Sequence, residues 1–430
     1  MTVLSTWCSQ EKEFLRTSAV SITARILAAL SAVLASVVVG RQLGAAESGY
    51  YFLAFSLITV LAAFSRVGLD NAVLRFTGAA LVEQAWGVVR SVSHRSILLV
   101  ACVSSLMALT LHLSAGILAN YVFGKPSLEE VLRAMAPGLV GLALLTLVSM
   151  SLQGLRRVVA SVTTVGILVN LLLALALLLF GIKNAEYAGW AYSAATLSIM
   201  FIAYAFFRLG IGDSTGLITW RALFQSCLPL WVTMIMSQLV LWSGQIIAGI
   251  WCAPDAVAQL AVAQRTALLT SFILTACNLV IAPRFAAMYK KGQTLEAERL
   301  ALSSVKLMVL LALPAVTVML VAPGLVMSLF GDGFRDGAHL LQILVIGQFV
   351  NVVTGSVAIL LTMSGHEREL RNMALISGPI AVTLALALVP VWGETGSAVA
   401  TAVALATQNL LAAWQVKRLL GFNTLAVWRR

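Results

Sequence analysis

Residues 17–40, TSAVSITARILAALSAVLASVVVG, form an apolar run long enough to cross a bilayer, which takes about 20 residues at about 1.5 Å of rise each. The run carries one full charge, Arg25. A guanidinium near the middle of a membrane helix costs about 2.5–3.5 kcal/mol on insertion scales. None of the membrane-length runs of this chain holds an Asp or Glu that could neutralise it. Arg25 therefore calls for a hydrated, protein-lined space, and an anion is the partner such a space offers.

The rest of the chain repeats the pattern. Of 430 residues, 60% are hydrophobic and 10% charged, against about 25% charged in soluble domains. Breaks at charge, Gly and Pro divide the sequence into about twelve spans. Their limits are 17–40, 49–65, 95–116, 131–153, 158–181, 187–207, 224–249, 257–283, 304–323, 338–363, 372–390 and 396–416. The expected fold is an all-α polytopic membrane protein. The net charge of +11 points to nucleic acid only in a soluble chain; here nucleic acid is not expected as a partner.

With the N-terminus placed in the cytoplasm, inner segments hold 21 of the 28 Lys and Arg, while the acids divide nearly evenly. That bias is the one the positive-inside rule requires, so both termini are expected in the cytoplasm and the protein in the cell's inner membrane. The loops on the other side are short, which leaves no room there for a catalytic domain. The five cysteines are scattered singly, a spacing that suggests neither a disulfide framework nor a metal site. No nucleophile–base pair, phosphate loop or metal-ligand cluster stands out. Neither an enzyme nor a cofactor is expected.

An internal repeat is legible. Arg75-Phe76 matches Arg284-Phe285, Gly40 matches Gly249, Phe123-Gly124 matches Phe330-Gly331, and Gly154 matches Gly365, all at offsets close to 209. Four matches in one order favour a duplicated six-helix unit, with the halves related by a pseudo-two-fold axis along the membrane normal. The expected lobes are 1–208 and 224–416, joined by a cytoplasmic linker, 209–223, and followed by a tail, 417–430.

Arg25 lies about 13 Å from the cytoplasmic edge at helical rise. It either lines a cavity or snorkels to that edge. Arg265, in the eighth span, is deeper, and either lines the same cavity or pairs with helix-end carbonyls. Gln238, Trp242 and Gln245 share one face of the seventh span, where Trp242 could stack on a sugar ring. Gln264 precedes Arg265, and Gln348 and Asn351 share a face of the tenth span. Each of these polar residues is a candidate lining group or an interhelical hydrogen bond, the latter worth about 0.6 kcal/mol on average. His112 reads as structural. Pro137, Pro314 and Pro379 fall inside spans and are expected to bend them.

Gly40-Arg41-Gln42-Leu43-Gly44, Gly49-Tyr50, Gly68-Leu69-Asp70-Asn71-Ala72 and Arg75-Phe76 resemble the opening signature of the polysaccharide exporters. These are the oligosaccharide flippases of the multidrug/oligosaccharidyl-lipid/polysaccharide exporter superfamily. Gln264-Arg265, Pro283-Arg284-Phe285-Ala286 and Leu329-Phe330-Gly331 look like its second half. Ala45 stands where the family often has Pro. The resemblance implies a V-shaped pair of lobes, alternating access, and an undecaprenyl-diphosphate-linked glycan as cargo, with membrane lipids and polysaccharide polymerase machinery as partners. By it, Arg25 and Arg265 look like the cavity arginines of the lipid II flippase branch. Twelve spans rather than fourteen favour an exporter of O-antigen or capsule repeats over that branch. The alternative within the fold is a drug or cation antiporter of the multidrug and toxin extrusion type, which needs a membrane-embedded carboxylate. A glycan polymerase would need a large outer loop.

Overall fold

A computed structural model describes residues 2–209, 211 and 218–426, with side chains from residue 20 onward apart from 222, 225, 226, 228–230, 279, 280 and 367. The expected linker 209–223 lies outside the described residues at 210 and 212–217, and the expected tail at 427–430. Among the described residues every regular element is helical. In the first half come α1 (Thr2–Ser65), α2 (Leu69–Val82) and α3 (Trp86–Ile117), the last extended by a π-helical turn, Leu118–Val122. There follow α4 (Leu128–Gly154), then α5 (Val158–Val162), which runs through a π-helical stretch, Thr163–Leu168, into α6 (Val169–Phe180), and α7 (Ala185–Arg208). The second half holds α8 (Trp220–Trp251), α9 (Pro254–Lys290), α10 (Thr294–Val321), α11 (Pro323–Ser328), a 3₁₀ turn at Asp332–Gly337, α12 (Ala338–Thr354), α13 (Val357–Met363) and α14 (Glu367–Leu420).

Among the described residues, ten helices are long and apolar enough to cross a membrane. Two exceed what one crossing uses: Val20–Ser65 has 46 residues and Arg368–Leu420 has 53, or about 70–80 Å at helical rise against a hydrocarbon core of about 30 Å. Each contains one break. In α1 it is Gly44, at φ 74° and ψ 177°; in α14 it is Gly393, at φ 57° and ψ −136°. Positive φ is open to glycine without a steric penalty, so a long helix folds back there without a loop. Pro137, Pro314 and Pro379, the expected bending points, lie inside helices that run on through them, since proline's fixed φ is itself helical.

Helices pack through small residues, as membrane helices do for want of a hydrophobic drive between them. Buried α4 is the post of the first half and lies against α7. A Cβ at Gly138 would stand 2.8 Å from Ser193 Oγ, and one at Gly141 2.7 Å from Thr196 Oγ1. Ser193 Oγ donates to the Ala134 carbonyl at 2.7 Å. In the second half α8 lies against α14, while α1 crosses between the halves to pack on α9. The outer surface of the bundle is rich in exposed Leu, Ile and Phe, such as Leu109, Ile117, Phe201 and Leu310.

The turn between α1 and α2 holds a buried ion pair. Arg66 Nε meets Asp70 Oδ2 at 2.8 Å, with side chains 8% and 1% exposed, and Asp70 Oδ1 is buried without a hydrogen-bond partner. Removing one partner of a buried pair costs about 3–5 kcal/mol, whereas replacing both with apolar groups is often neutral. Asp70→Ala is therefore expected to lower the thermal midpoint of the purified protein sharply. Adding Arg66→Met should restore much of the loss, which detergent-phase melting curves will show.

Candidate functional site

At the end of the bundle marked by Gly44 the two halves of the chain touch backbone to backbone. A Cβ at Gly40 would come 2.7 Å from the Phe330 carbonyl oxygen, and Arg41 Nε donates to the Leu329 carbonyl at 2.8 Å. Gly49 lies so close to Pro254 that any side chain would overlap its carbonyl. Lys125, in the turn before α4, donates its Nζ to the Gly249 carbonyl at 2.6 Å. The motif at 40–50 and the motif Leu329-Phe330-Gly331 are thus two sides of one contact.

Arg265 lies just beneath this closure and crosses from α9 to α1. Its Nη1 donates to Ser36 Oγ at 3.0 Å, and its guanidinium lies 4.5 Å from the ring centres of both Phe52 and Phe55. Aromatic faces attract a desolvated cation with about 2 kcal/mol or more, which offsets part of the burial cost. Part remains, since Nη2 is buried with no hydrogen-bond partner. Phe55 also meets the ring edges of Trp242, at 5.9 Å, and Tyr192, at 5.5 Å. Arg265 thus sits against two aromatic rings of α1, backed through Phe55 by Tyr192 of α7 and Trp242 of α8.

Arg25 occupies the same face of α1 as Ser36, three helical turns and about 16 Å nearer the chain termini. Ala29 and Ala32 lie between them on that stripe. Arg25 Nε is likewise buried and unpartnered. Among the described residues neither arginine meets a carboxylate, the described ion pairs being Arg66–Asp70 and Arg133–Glu129. One turn before Arg25, Ile22 borders an apolar gap of about 400 Å³ whose far wall is Cys277, Ile281 and Arg284 of α9 and Ser304 and Leu307 of α10. A cavity thus lies between the halves at this end, among the described residues.

The other expected lining residues divide. Trp242 reaches Phe55, and Gln245 Nε2 donates to the Phe52 carbonyl at 2.8 Å, tying α8 to α1. Gln238, two turns from Gln245 on α8, is half-buried with its Oε1 unpartnered. Gln264 and Asn351 do not join them. The Gln264 amide donates to the Leu241 carbonyl, and Asn351 Nδ2 donates to Ser271 Oγ at 3.2 Å, both within the second half. One residue is about 100° of helix, so Arg265 faces α1 while Gln264 faces α8. The aromatic group itself, Phe52, Phe55 and Tyr192, escaped sequence reading; its one local signal was two aromatics three residues apart on the second pass of α1.

The family model described as polysaccharide biosynthesis protein matches residues 14–289. The chain belongs to the polysaccharide biosynthesis protein family. A search of curated protein sequences gives no match. Among solved structures, an inward-facing multidrug resistance MATE family transporter of the MOP superfamily aligns with TM-score 0.74 and 16% identity, covering 94% of this chain and 98% of that one. The lipid II flippase MurJ in an inward closed conformation aligns with TM-score 0.70 and 12% identity, covering 94% and 87%. The MATE multidrug transporter DinF-BH aligns with TM-score 0.69 and 15% identity, covering 96% of both. At such identities these likenesses establish the fold, which is that of MOP-superfamily transporters. This family member is therefore a multi-pass membrane protein with a transporter fold, and its matched region includes Arg25, Phe52, Phe55 and Arg265.

Proposed function

We propose that the chain is a flippase for a polyprenyl-diphosphate-linked oligosaccharide, of the O-antigen, capsule or exopolysaccharide kind, working by alternating access. The observation that carries this reading is the arginine pair. Arg25 of α1 and Arg265 of α9, which reaches α1 at Ser36, about three turns from Arg25, each keep a buried nitrogen without a partner, and no carboxylate meets either among the described residues. A diphosphate is the complementary cargo: its oxygens accept charge-assisted hydrogen bonds from guanidinium forks. It also cannot cross hydrocarbon without replacement of its hydration.

In this reading α1 and α14 each cross twice, at Gly44 and Gly393, giving twelve spans in two six-helix lobes with both termini in the cytoplasm. The gap between the start of α1 and α9–α10 then opens to the cytoplasm and sideways to lipid. The headgroup enters it at Arg25 while the prenyl chain stays among acyl chains. Arg265 is the second station, with Gln238 and Trp242 beside it for sugar hydroxyls and ring faces. A tilt of the lobes closes the gap and parts the Gly44 contact, releasing cargo outside.

The second reading, a drug or cation antiporter, is favoured by the likeness to multidrug transporters. The buried carboxylate such a pump needs has a candidate in Asp70, but Arg66 already neutralises it. Deleting the gene separates the readings. A flippase leaves lipid-linked glycan accumulating on the inner face of the membrane and none at the surface. Normal surface glycan with lost resistance to cationic drugs would favour the antiporter.

A further inference from the structure

A groove of about 860 Å³ runs between α6 and α7 on the surface of the first half. Its head is the turn 181–184, which lies at the end of the bundle marked by Gly44, because Ala185 N donates to Glu47 Oε2 at 2.7 Å. Every lining residue belongs to α6, α7 or that turn, so the groove stands apart from the path between the halves. The space exists because the facing side chains are small: Ala176 on α6, and Ala191, Ala194 and Ser198 on α7. Ala194 and Ser198 are exposed on its floor.

Depth and charge together say what fills it. From Tyr187 to Ser198 the α7 wall runs about 16 Å at helical rise, half of a hydrocarbon core of about 30 Å. A membrane helix of a partner would be met along the whole depth, whereas an acyl chain occupies one leaflet. Tyr187 and Trp190 are exposed along the upper part of the groove, as aromatic rings are at the level of lipid headgroups. Just above them stand Lys183 and Asn184, both exposed, and the Asn184 side chain makes no capping bond to α7. A lysine ammonium binds phosphate as a point charge, and a free amide adds a donor. No Asp or Glu lines the groove among the described residues. Of the acids nearby in the chain or the fold, Glu47 is engaged by the Ala185 amide, and Glu186 is not part of the lining. We propose that this groove binds an anionic phospholipid of the leaflet farthest from the chain termini, with an acyl chain laid between α6 and α7 and the phosphate at Lys183 and Asn184.

The test uses the purified full-length chain in detergent, with dioleoyl-phosphatidylglycerol or dioleoyl-phosphatidylcholine as probe, read by native mass spectrometry. The natural protein is expected to retain phosphatidylglycerol in preference to phosphatidylcholine. Lys183→Gln should weaken phosphatidylglycerol about fivefold and leave phosphatidylcholine unchanged. Ala194→Phe with Ser198→Leu fills the groove and keeps Lys183, and it should weaken phosphatidylglycerol at least about tenfold. Arg335→Gln, which removes a cation at the same end of the bundle in the second half, should bind as the natural protein does. Unchanged phosphatidylglycerol affinity in Lys183→Gln or in the filled variant overturns the proposal, as does an equal loss in Arg335→Gln, which would make the attraction one of general charge. Equal retention of the two lipids by the natural protein also overturns it. So does a dimer that the filled variant converts to monomer with phosphatidylglycerol binding intact, because a second copy of the chain is then the occupant.

Discussion

Arg265→Ala is expected to leave a folded, membrane-inserted protein that no longer moves lipid-linked glycan. Stability should change little because two terms oppose. The variant loses the attraction of Phe52 and Phe55 and the bond to Ser36, and it also sheds the cost of a charge held deep in the bundle. Transport has no such compensation. Two charge-assisted hydrogen bonds to a diphosphate at about 1.5–3 kcal/mol each amount to about 100-fold or more in affinity. Arg265→Lys keeps the charge but not the planar fork, so it should recover only part of the function. Gln264→Ala, one position away, should retain transport because its amide serves the Leu241 carbonyl. Surface glycan quantified against protein level in the membrane decides the matter, and full glycan from Arg265→Ala would sink the diphosphate reading. Arg25→Ala should act in the same direction.

The second large effect is expected at Gly49. No side chain fits between Gly49 and the Pro254 carbonyl, so Gly49→Ala must push the second pass of α1 away from the start of α9. That movement parts the halves at the closed end. Cys252, two residues before Pro254, is a native reporter: it is 7% exposed and a free thiol, and burial pushes it up to about 11. Maleimides react with the thiolate. Hydrating Cys252 back toward an ordinary thiol value near 9 raises the thiolate fraction at neutral pH by about 100-fold. Labelling of Gly49→Ala by a membrane-impermeant maleimide should approach that gain over the natural protein, with transport lost at the same time. An unchanged labelling rate would mean that the backbone contact at Gly49 is not what holds this end shut.

What the sequence disclosed follows from what each feature depends on. Membrane helices are written locally, in runs of apolar residues, so the spans were legible. The turns at Gly44 and Gly393 were legible as breaks but not as folds within one long helix, because the loop that usually joins two passes is missing. Helix α2 escaped because it is amphipathic and short, beyond the reach of a search for spans. The depth of Arg265 could be read from its place within the eighth span. Its surroundings could not, because Phe52 and Phe55 reach it from a helix remote in the chain. The polar residues show the same limit: Gln245, Gln264 and Asn351 look alike in sequence, and only the direction of each side chain separates a tie between the halves from ties within one.

The sharp reversal at Gly44 has a mechanical consequence. With no loop between the two arms of α1, the lobe tilt proposed above would carry both arms together about the bend. A small rotation there would be magnified along the arm's length, with the greatest displacement at the far tip, where Ile22 faces α9 and α10. Lengthening that corner with a flexible insert should uncouple the arms and idle the machine while leaving each arm folded.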